Sequence, residues 1–309
     1  MLSIRSAAGA LAVLSVASGG FASLSQSDIA APGGFVQSGV SPVGQGFSLN
    51  VGSDFEVLYN DAVDVFSEGS FNGIGTVTRS TSQANRDSTG TVSMGQIKLT
   101  ANSTSPNSGF ANGGAHGGFK ENFTIATGSP GTTGWMLVDV MVSGSASASG
   151  FAGRSLFNIG AFKDDVELLS NSPHWDNGNS DPISTDRQRA RWAVSTSAPG
   201  TSDSRVVSDM VTFAVPITFG DGFSFGIYGF ASAGKRSSSG VAGTSSASID
   251  FGNTITWGGI NAILDASGNE ITSYTLSSDT GLDWTGVVPS PGTVVVFSAV
   301  GGLGLRRRR

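Results

Sequence analysis

The 309-residue chain contains no cysteine. Disulfides, thiolate metal sites and a cysteine nucleophile are therefore excluded together. Histidine is nearly absent as well, with only His116 and His174, too few for most histidine-rich metal centres. Charged residues make up 13% of the chain, about half the usual quarter. The shortfall removes good helix formers such as Lys and Glu, and 45 glycines with many Ser, Thr and Ala take their place. That exchange favours turns and strands over helices. No repeat of fixed period is present, which argues against a solenoid or a propeller.

The charge that remains is unevenly placed. Arg5 and Arg306 to Arg309 lie in terminal segments. Setting those five aside leaves 12 cations against 23 acids, about −11 for the body. An acidic body argues against nucleic acid as a partner, because phosphate binding needs a basic face. It also argues against docking on anionic lipid. Solubility and cation-mediated contacts with a matrix are favoured instead.

Apolar residues recur with period two. In Ser246–Trp257, Ala247, Ile249, Phe251, Ile255 and Trp257 share one parity and polar residues hold the other. This is the pattern of a half-buried antiparallel strand. Phe223, Phe225 and Ile227 repeat it. Trp135–Val142 is apolar on both parities except at Asp139, which predicts a central strand covered on both faces. Further strands are expected at Phe47–Leu58, Val92–Ala101, Phe119–Ala126, Ser155–Phe162, Ala190–Ser197 and Val206–Phe219. Pro216 would put the last of these on an edge or break it at that point. Turn signals separate them at Asn112-Gly-Gly, Gly128-Ser-Pro-Gly, Ala198-Pro-Gly, Gly220-Asp-Gly and Ser267-Gly-Asn.

About ten strands so spaced predict an all-β, antiparallel β-sandwich that is jelly-roll-like. One short helix is expected at Lys163–Leu169. Gly144–Gly150 and Lys235–Ser248 read as long hairpin connections. Gly33-Gly34 and Gly113-Gly114 read as turn glycines, lacking the strand–turn–helix setting of a phosphate cradle.

The two ends carry addresses. Met1–Ala22 has one early cation, an apolar stretch from Ala7 to Val16 and then small residues, which predicts a signal peptide cleaved after Ala22. At the other end Val288-Pro289-Ser290-Pro291-Gly292-Thr293 precedes an uncharged stretch, Gly292–Leu305, and then Arg306, Arg307, Arg308 and Arg309. Fourteen helical residues reach only about 21 Å, short of the roughly 20 residues that a full span wants. The stretch is thus a marginal, transient anchor. The arginines form a basic stop that stays cytoplasmic and orients the body outward.

This tail resembles the PEP-CTERM sorting signal of exosortase substrates. The family's two prolines fall on Pro289 and Pro291, and its central glutamate is replaced by Ser290. The resemblance covers about 22 residues and implies processing near that core by an exosortase, a membrane-embedded cysteine peptidase. It implies export to the cell surface or extracellular matrix of a Gram-negative-type bacterium, through a membrane-anchored precursor. It also implies an association with exopolysaccharide. The rhythm of Ser246 to Gly281, a strand, a hairpin and a last strand feeding the tail, is similar to the family's usual terminal strands. The expected organisation is a signal peptide at 1–22, one sandwich ectodomain at 23–286 and a sorting signal at 287–309, with a short hydrophobic helix over 292–305.

Candidates for chemistry are few. Asp164, Asp165 and Glu167 cluster carboxylates, which read as a solvated face or a weak Ca²⁺ set before they read as a glycosidase pair. A serine triad on His116 or His174 lacks a Gly-x-Ser-x-Gly elbow. Arg187, Arg189 and Arg191 are expected to pair with local acids such as Asp181 and Asp186. The loop His174-Trp175-Asp176-Asn177 offers a ring to stack on a sugar and polar groups to bind its hydroxyls, unless Trp175 folds inward as a plug. No catalytic residue, metal ligand or cofactor is assigned. The leading expectation is a non-catalytic exported surface or matrix protein. The alternative is a lectin-like, glycan-binding module, and an extracellular hydrolase trails both.

Overall fold

The computed structural model describes residues 33–40, 63–70, 76–83, 86–105, 112–181, 186–235 and 243–288. The expected signal peptide, the strand expected at Phe47–Leu58 and the tail from Pro289 onward lie outside the described residues. Fourteen strands and no helix occur among those described. They are β1 (Gly33–Val40), β2 (Val63–Ser70), β3 (Thr76–Gln83), β4 (Arg86–Ser93) and β5 (Gln96–Ser105). Then come β6 (Asn112–Ala126), β7 (Thr133–Gly150), β8 (Gly153–Lys163), β9 (Val166–Glu167) and β10 (Arg189–Ser195). The last four are β11 (Ser202–Thr218), β12 (Gly222–Lys235), β13 (Ser245–Asp265) and β14 (Thr275–Ser278).

One sheet runs β10-β8-β12-β6-β1-β2, with β9 paired to β8 and β14 to β6. The other runs β11-β7-β13-β5-β4-β3. All pairs are antiparallel. The order β10-β8-β12-β6 facing β11-β7-β13-β5 is that of a long hairpin rolled up into two Greek keys, a jelly roll. β1–β2 and β4–β3 widen the two sheets beyond the eight-stranded roll.

Alternation decides what lies between the sheets. Ala247, Ile249, Phe251, Ile255 and Trp257 of β13 are all buried, as their parity predicts. They meet Phe157 of β8 and Phe119, Phe123 and Phe225 of the facing sheet, and Phe157 stacks on Phe251 at 3.7 Å. β7 is central in its sheet as expected, with Met136, Val138, Val140 and Val142 buried. Its other face is only half-covered, since Met141 is 39% exposed. Pro216 sits on β11, an edge strand, where a missing N–H costs no ladder bond.

Several local expectations are corrected. Gly144–Gly150 is not a connection but the far half of β7, paired to both β11 and β13. Ala146 and Ala148 are buried there, continuing the parity of Val138 to Val142. Small side chains hid the alternation because their polarity contrast is weak. The stretch Lys235–Ser248 is likewise shorter as a connection, for β12 reaches Lys235 and β13 starts at Ser245. Gly33-Gly34 and Gly113-Gly114 lie inside β1 and β6, as does Asn112, so none marks a turn. At Gly113 an added Cβ would stand 2.8 Å from the Asp87 carbonyl oxygen and 3.0 Å from that of Asn102. Glycine is needed because the two sheets approach closely at that point. No helix forms at Lys163–Leu169. Asp164 and Asp165 take left-handed φ values of 49° and 64° and make a two-residue hairpin turn between β8 and β9.

Candidate functional site

The open side of the roll, where β10 and β11 are both edge strands, is closed by the connection between β9 and β10. Asp176 pairs with Thr212 of β11 through both backbone bonds, Asp176 N–H to Thr212 O at 3.1 Å and Thr212 N–H to Asp176 O at 2.9 Å. Five residues on, the Asp181 N–H donates to Arg191 O of β10 at 2.6 Å. Asp181 also accepts from the Ala193 N–H at 2.8 Å and from Arg205 of β11 at 2.5 Å. The segment thus straps the two edges together. Asp209 of β11 supports its middle, accepting from the Asn179 N–H at 2.8 Å and from the Trp192 indole N–H at 3.3 Å.

Gln188 completes the closure. Its side-chain amide donates to Ala214 O at 2.9 Å and accepts from the Ala214 N–H at 2.8 Å, so the amide stands in for one residue of a neighbouring strand. The same Nε2 also donates to Leu169 O at 2.9 Å, and Gln188 is 1% exposed. No motif points to this residue, and sequence reasoning passed over it.

The four loop residues singled out for glycan contact are split by the strap. Trp175 is half-buried and stacks on core residue Phe213 at 5.2 Å, the inward plug considered from sequence. His174 turns instead toward Trp135, edge-on at 5.8 Å, and its backbone N–H donates to Ser172 Oγ at 3.3 Å. Asp176 is exposed, and its carboxylate accepts the Gly178 N–H at 2.9 Å in an Asx turn. Asn177 is partly exposed beside it. One ring face of Trp175 is therefore already occupied.

The acidic cluster is dispersed by the hairpin turn that replaced the expected helix. Asp164 pairs with Lys163 at 2.6 Å and accepts the Ser224 N–H at 2.8 Å. Asp165 reaches Lys120 at 2.6 Å. Glu167 turns the other way and binds both the Arg189 guanidinium and the Tyr228 hydroxyl. Arg189 and Tyr228 are buried, and desolvation together with the Glu167 charge pushes the Tyr228 phenol far up. Tyr228 lies across Gly160, where a Cβ would stand 2.4 Å from its hydroxyl oxygen. Of the arginines, Arg187 meets Asp186 at 3.5 Å, while Asp181 is taken by Arg205 rather than by the 187–191 row. His116 is buried edge-on to Tyr228, and desolvation holds its pKa down to about 3. It is neutral at pH 7.

A second closure lies at the C-terminal side of the described chain. After β14, the Thr280 hydroxyl donates to Glu121, and Asn122 Nδ2 donates to Asp279 at 2.6 Å. Glu121 is fully buried, and desolvation raises its pKa. Trp284 is fully buried against Phe119, Phe123 and Trp257. Its carbonyl accepts the Ile260 N–H at 3.1 Å and the Trp257 indole N–H at 2.9 Å. Val288, assigned from sequence to the sorting motif, is 5% exposed and packs on Gly95. The packed body therefore runs to the residue immediately before Pro289.

These arrangements bind the chain to itself. Among the described residues, no group of three or more histidines and acids is placed to hold a metal ion. No helix among them is long and apolar enough to cross a membrane. A shallow groove of about 660 Å³ crosses the outer face of β5, β7, β11 and β13, walled by Asn102, Thr104, Ser147, Ser204, Ser246 and Ser248. No aromatic side chain lines it.

No family model matches the chain, and no curated protein matches it. Among solved structures, a chain from the "Structure of infectious bursal disease virus Gt strain" aligns with 89% of this chain and 68% of its own length. Its identity is 11% and its TM-score 0.09, a likeness too low to carry an argument.

Proposed function

We propose that this protein is a non-catalytic surface or matrix protein, exported through its signal peptide and processed by an exosortase-type sorting system. The observation that carries the reading is the tail: Pro289 and Pro291, then the uncharged Gly292–Leu305, then four arginines. Physically, the segment is apolar enough to lodge in a bilayer and too short to hold there firmly. The basic cluster sets its orientation. Within the described residues, Val288 at the start of the motif is packed in the core of the sandwich. The cross-connected acids and arginines also favour a structural role over a catalytic one.

The test is substitution of Pro289 and Pro291 by Ala in a host with the cognate exosortase. Insertion should persist, because apolarity is unchanged, while processing stops and the precursor accumulates in the inner membrane. Release or display of the double variant at the parental rate would make the segment a plain anchor.

A lectin-like role is the second reading. It is favoured by the partly exposed Trp175 and Asn177 beside exposed Asp176 at the strap. A glycan array on the purified chain separates the two. Binding that Trp175→Ala abolishes supports the second reading, and no binding leaves the first.

A further inference from the structure

We propose that the upper half of edge strand β11, Ser202 to Ser208, pairs antiparallel with the same segment of a second copy of this chain. The two-fold axis passes between the two Ser204 residues. Neither the tail nor its sorting enters into this pairing. The parity of β11 shows which backbone groups face outward. Thr212 gives its N–H and C=O to Asp176, and Ala214 gives both to the Gln188 amide. Even-numbered residues therefore point away from β7. Thr201 and Phe219 bond on the β7 side, as odd-numbered residues should.

The lower half of this edge is closed by successive devices. The strap takes Thr212, the Gln188 amide takes Ala214, and Pro216, also even, has no N–H to offer. None of these devices reaches the upper half. Among the described residues, nothing pairs with the outward N–H and C=O groups of Ser202, Ser204, Val206 and Ser208. Their side chains give no shield, for Val206 is 85% exposed. Met210, on the same parity, is 52% exposed and lies opposite Met141. An exposed, β-branched apolar residue on an unpaired edge is the reverse of the charged or proline-blunted edges that keep sheets apart.

Charge selects the occupant and the register. Outward groups meet only when even residues stand opposite even residues, and each such pair then exchanges two backbone hydrogen bonds. With Ser204 opposite the partner's Ser204, Val206 faces the partner's Ser202, and Asp203 faces the partner's Arg205. Symmetry makes each of these contacts twice. The Asp203 side chain is exposed and has no partner among the described residues. Arg205 spends one Nη1 and one Nη2 donor on Asp181 and Asn179, and its guanidinium carries others. Moving the axis to Asp203 or Arg205 sets that residue against its own copy, and moving it to Val206 sets Asp203 against Asp209. Like charges directly opposite are destabilising. The contact is short, so the dimer belongs with weak, concentration-dependent associations.

The test is sedimentation equilibrium of the purified full-length chain from about 10 µM to about 1 mM, at low and high salt. The average mass should climb toward two chains with concentration, and less steeply at high salt. Ser204→Pro removes one outward N–H, as Pro216 does lower down, and leaves the bonds to β7 in place. Asp203→Arg alters only an exposed side chain and sets like charges across the axis. Each variant should keep the parental circular dichroism and weaken association by about tenfold or more. Weakening by Asp203→Arg supports the pairing even if Ser204→Pro misfolds. A parent that stays monomeric at the highest concentration overturns it, whatever other strand the edge accepts. A dimer that Asp203→Arg and a folded Ser204→Pro both leave intact lies on another surface and overturns it too. Tighter association in Asp203→Arg places the axis at Val206, with residue 203 facing Asp209, and overturns the register argued from charge.

Discussion

At the scale of single residues, the decisive side chains are polar groups buried where no pattern marks them. Gln188 occupies the place of a strand residue, and truncation would leave Ala214 N–H, Ala214 O and Leu169 O without that partner. Each buried group left unpaired costs about 1–3 kcal/mol. Gln188→Ala is therefore expected to lower stability by about 2–4 kcal/mol in urea unfolding, with the β10–β11 side opening first in hydrogen exchange. A loss below about 0.5 kcal/mol would show that the edge does not need this surrogate.

Two buried titratable groups bend the pH profile in opposite senses. His116 has a folded pKa of about 3 against 6.5 in the unfolded chain, so below pH 6.5 only the unfolded chain takes up the proton. Stability should then fall with falling pH, by up to about 1.4 kcal/mol per unit. Glu121 is shifted upward, so the folded state holds its proton more tightly, and its contribution is lost as pH rises from 4.5 through the folded value. Urea midpoints from pH 4 to 8 should flatten on the acid side in His116→Gln and on the other side in Glu121→Gln. An unchanged acid limb in His116→Gln would assign acid sensitivity to other groups.

At the scale of elements, β13 was legible over Ser246–Trp257, where five apolar residues share one parity and all are buried, while its continuation to Asp265 was hidden by register shifts at Trp257/Gly259 and Ile260/Ala262. The far half of β7 was not legible, because Ser, Ala and Gly give too little contrast for period two to show. The same limit hid the glycines of β1 and β6, which sit in strands and not in turns, Gly113 where the two sheets approach. The strap over residues 172–181 was legible as a loop, but its purpose was not. It exists because a rolled-up sheet has open edges that must be paired or covered. Asp181→Ala removes the acceptor for both Ala193 N–H and Arg205. The Ala193 and Thr212 amides are expected to exchange markedly faster, and Trp175 emission to shift to the red as its stack on Phe213 loosens. Unchanged exchange at both amides would show that the strap holds without its carboxylate.

At the scale of the whole molecule, the chain should read as almost pure β. Circular dichroism of the purified chain is expected to show well under the roughly one-third helix of an average domain. If the proposed export holds, N-terminal sequencing of chain recovered outside the cell should begin at Ser23, and finding Met1 there would remove the export signal. Trp284 should be a global rather than a local determinant, since it is fully buried among three aromatic rings. Trp284→Ala is expected to cost about 3–5 kcal/mol, read as a lowered urea midpoint for the entire β signal. Loss confined to residues 279–288 would mean that this segment is an appendage.

The sequence by itself determined the layer structure, and the terminal addresses are proposed from it. Period-two alternation and missing helix formers force sheets, one-sided apolarity forces two sheets to pack, and the terminal segments are local patterns read without partners. Tertiary structure alone decided which strands are neighbours, and hence which edges stay open and what closes them. Pairing joins residues far apart, such as β6 with β12 or Glu121 with Thr280, and no local periodicity encodes that choice. It also decided that Trp175 lays one ring face on Phe213 and that Val288 belongs to the core. An apolar side chain before a proline looks the same in sequence whether or not a glycine turn across the sandwich leaves space to receive it.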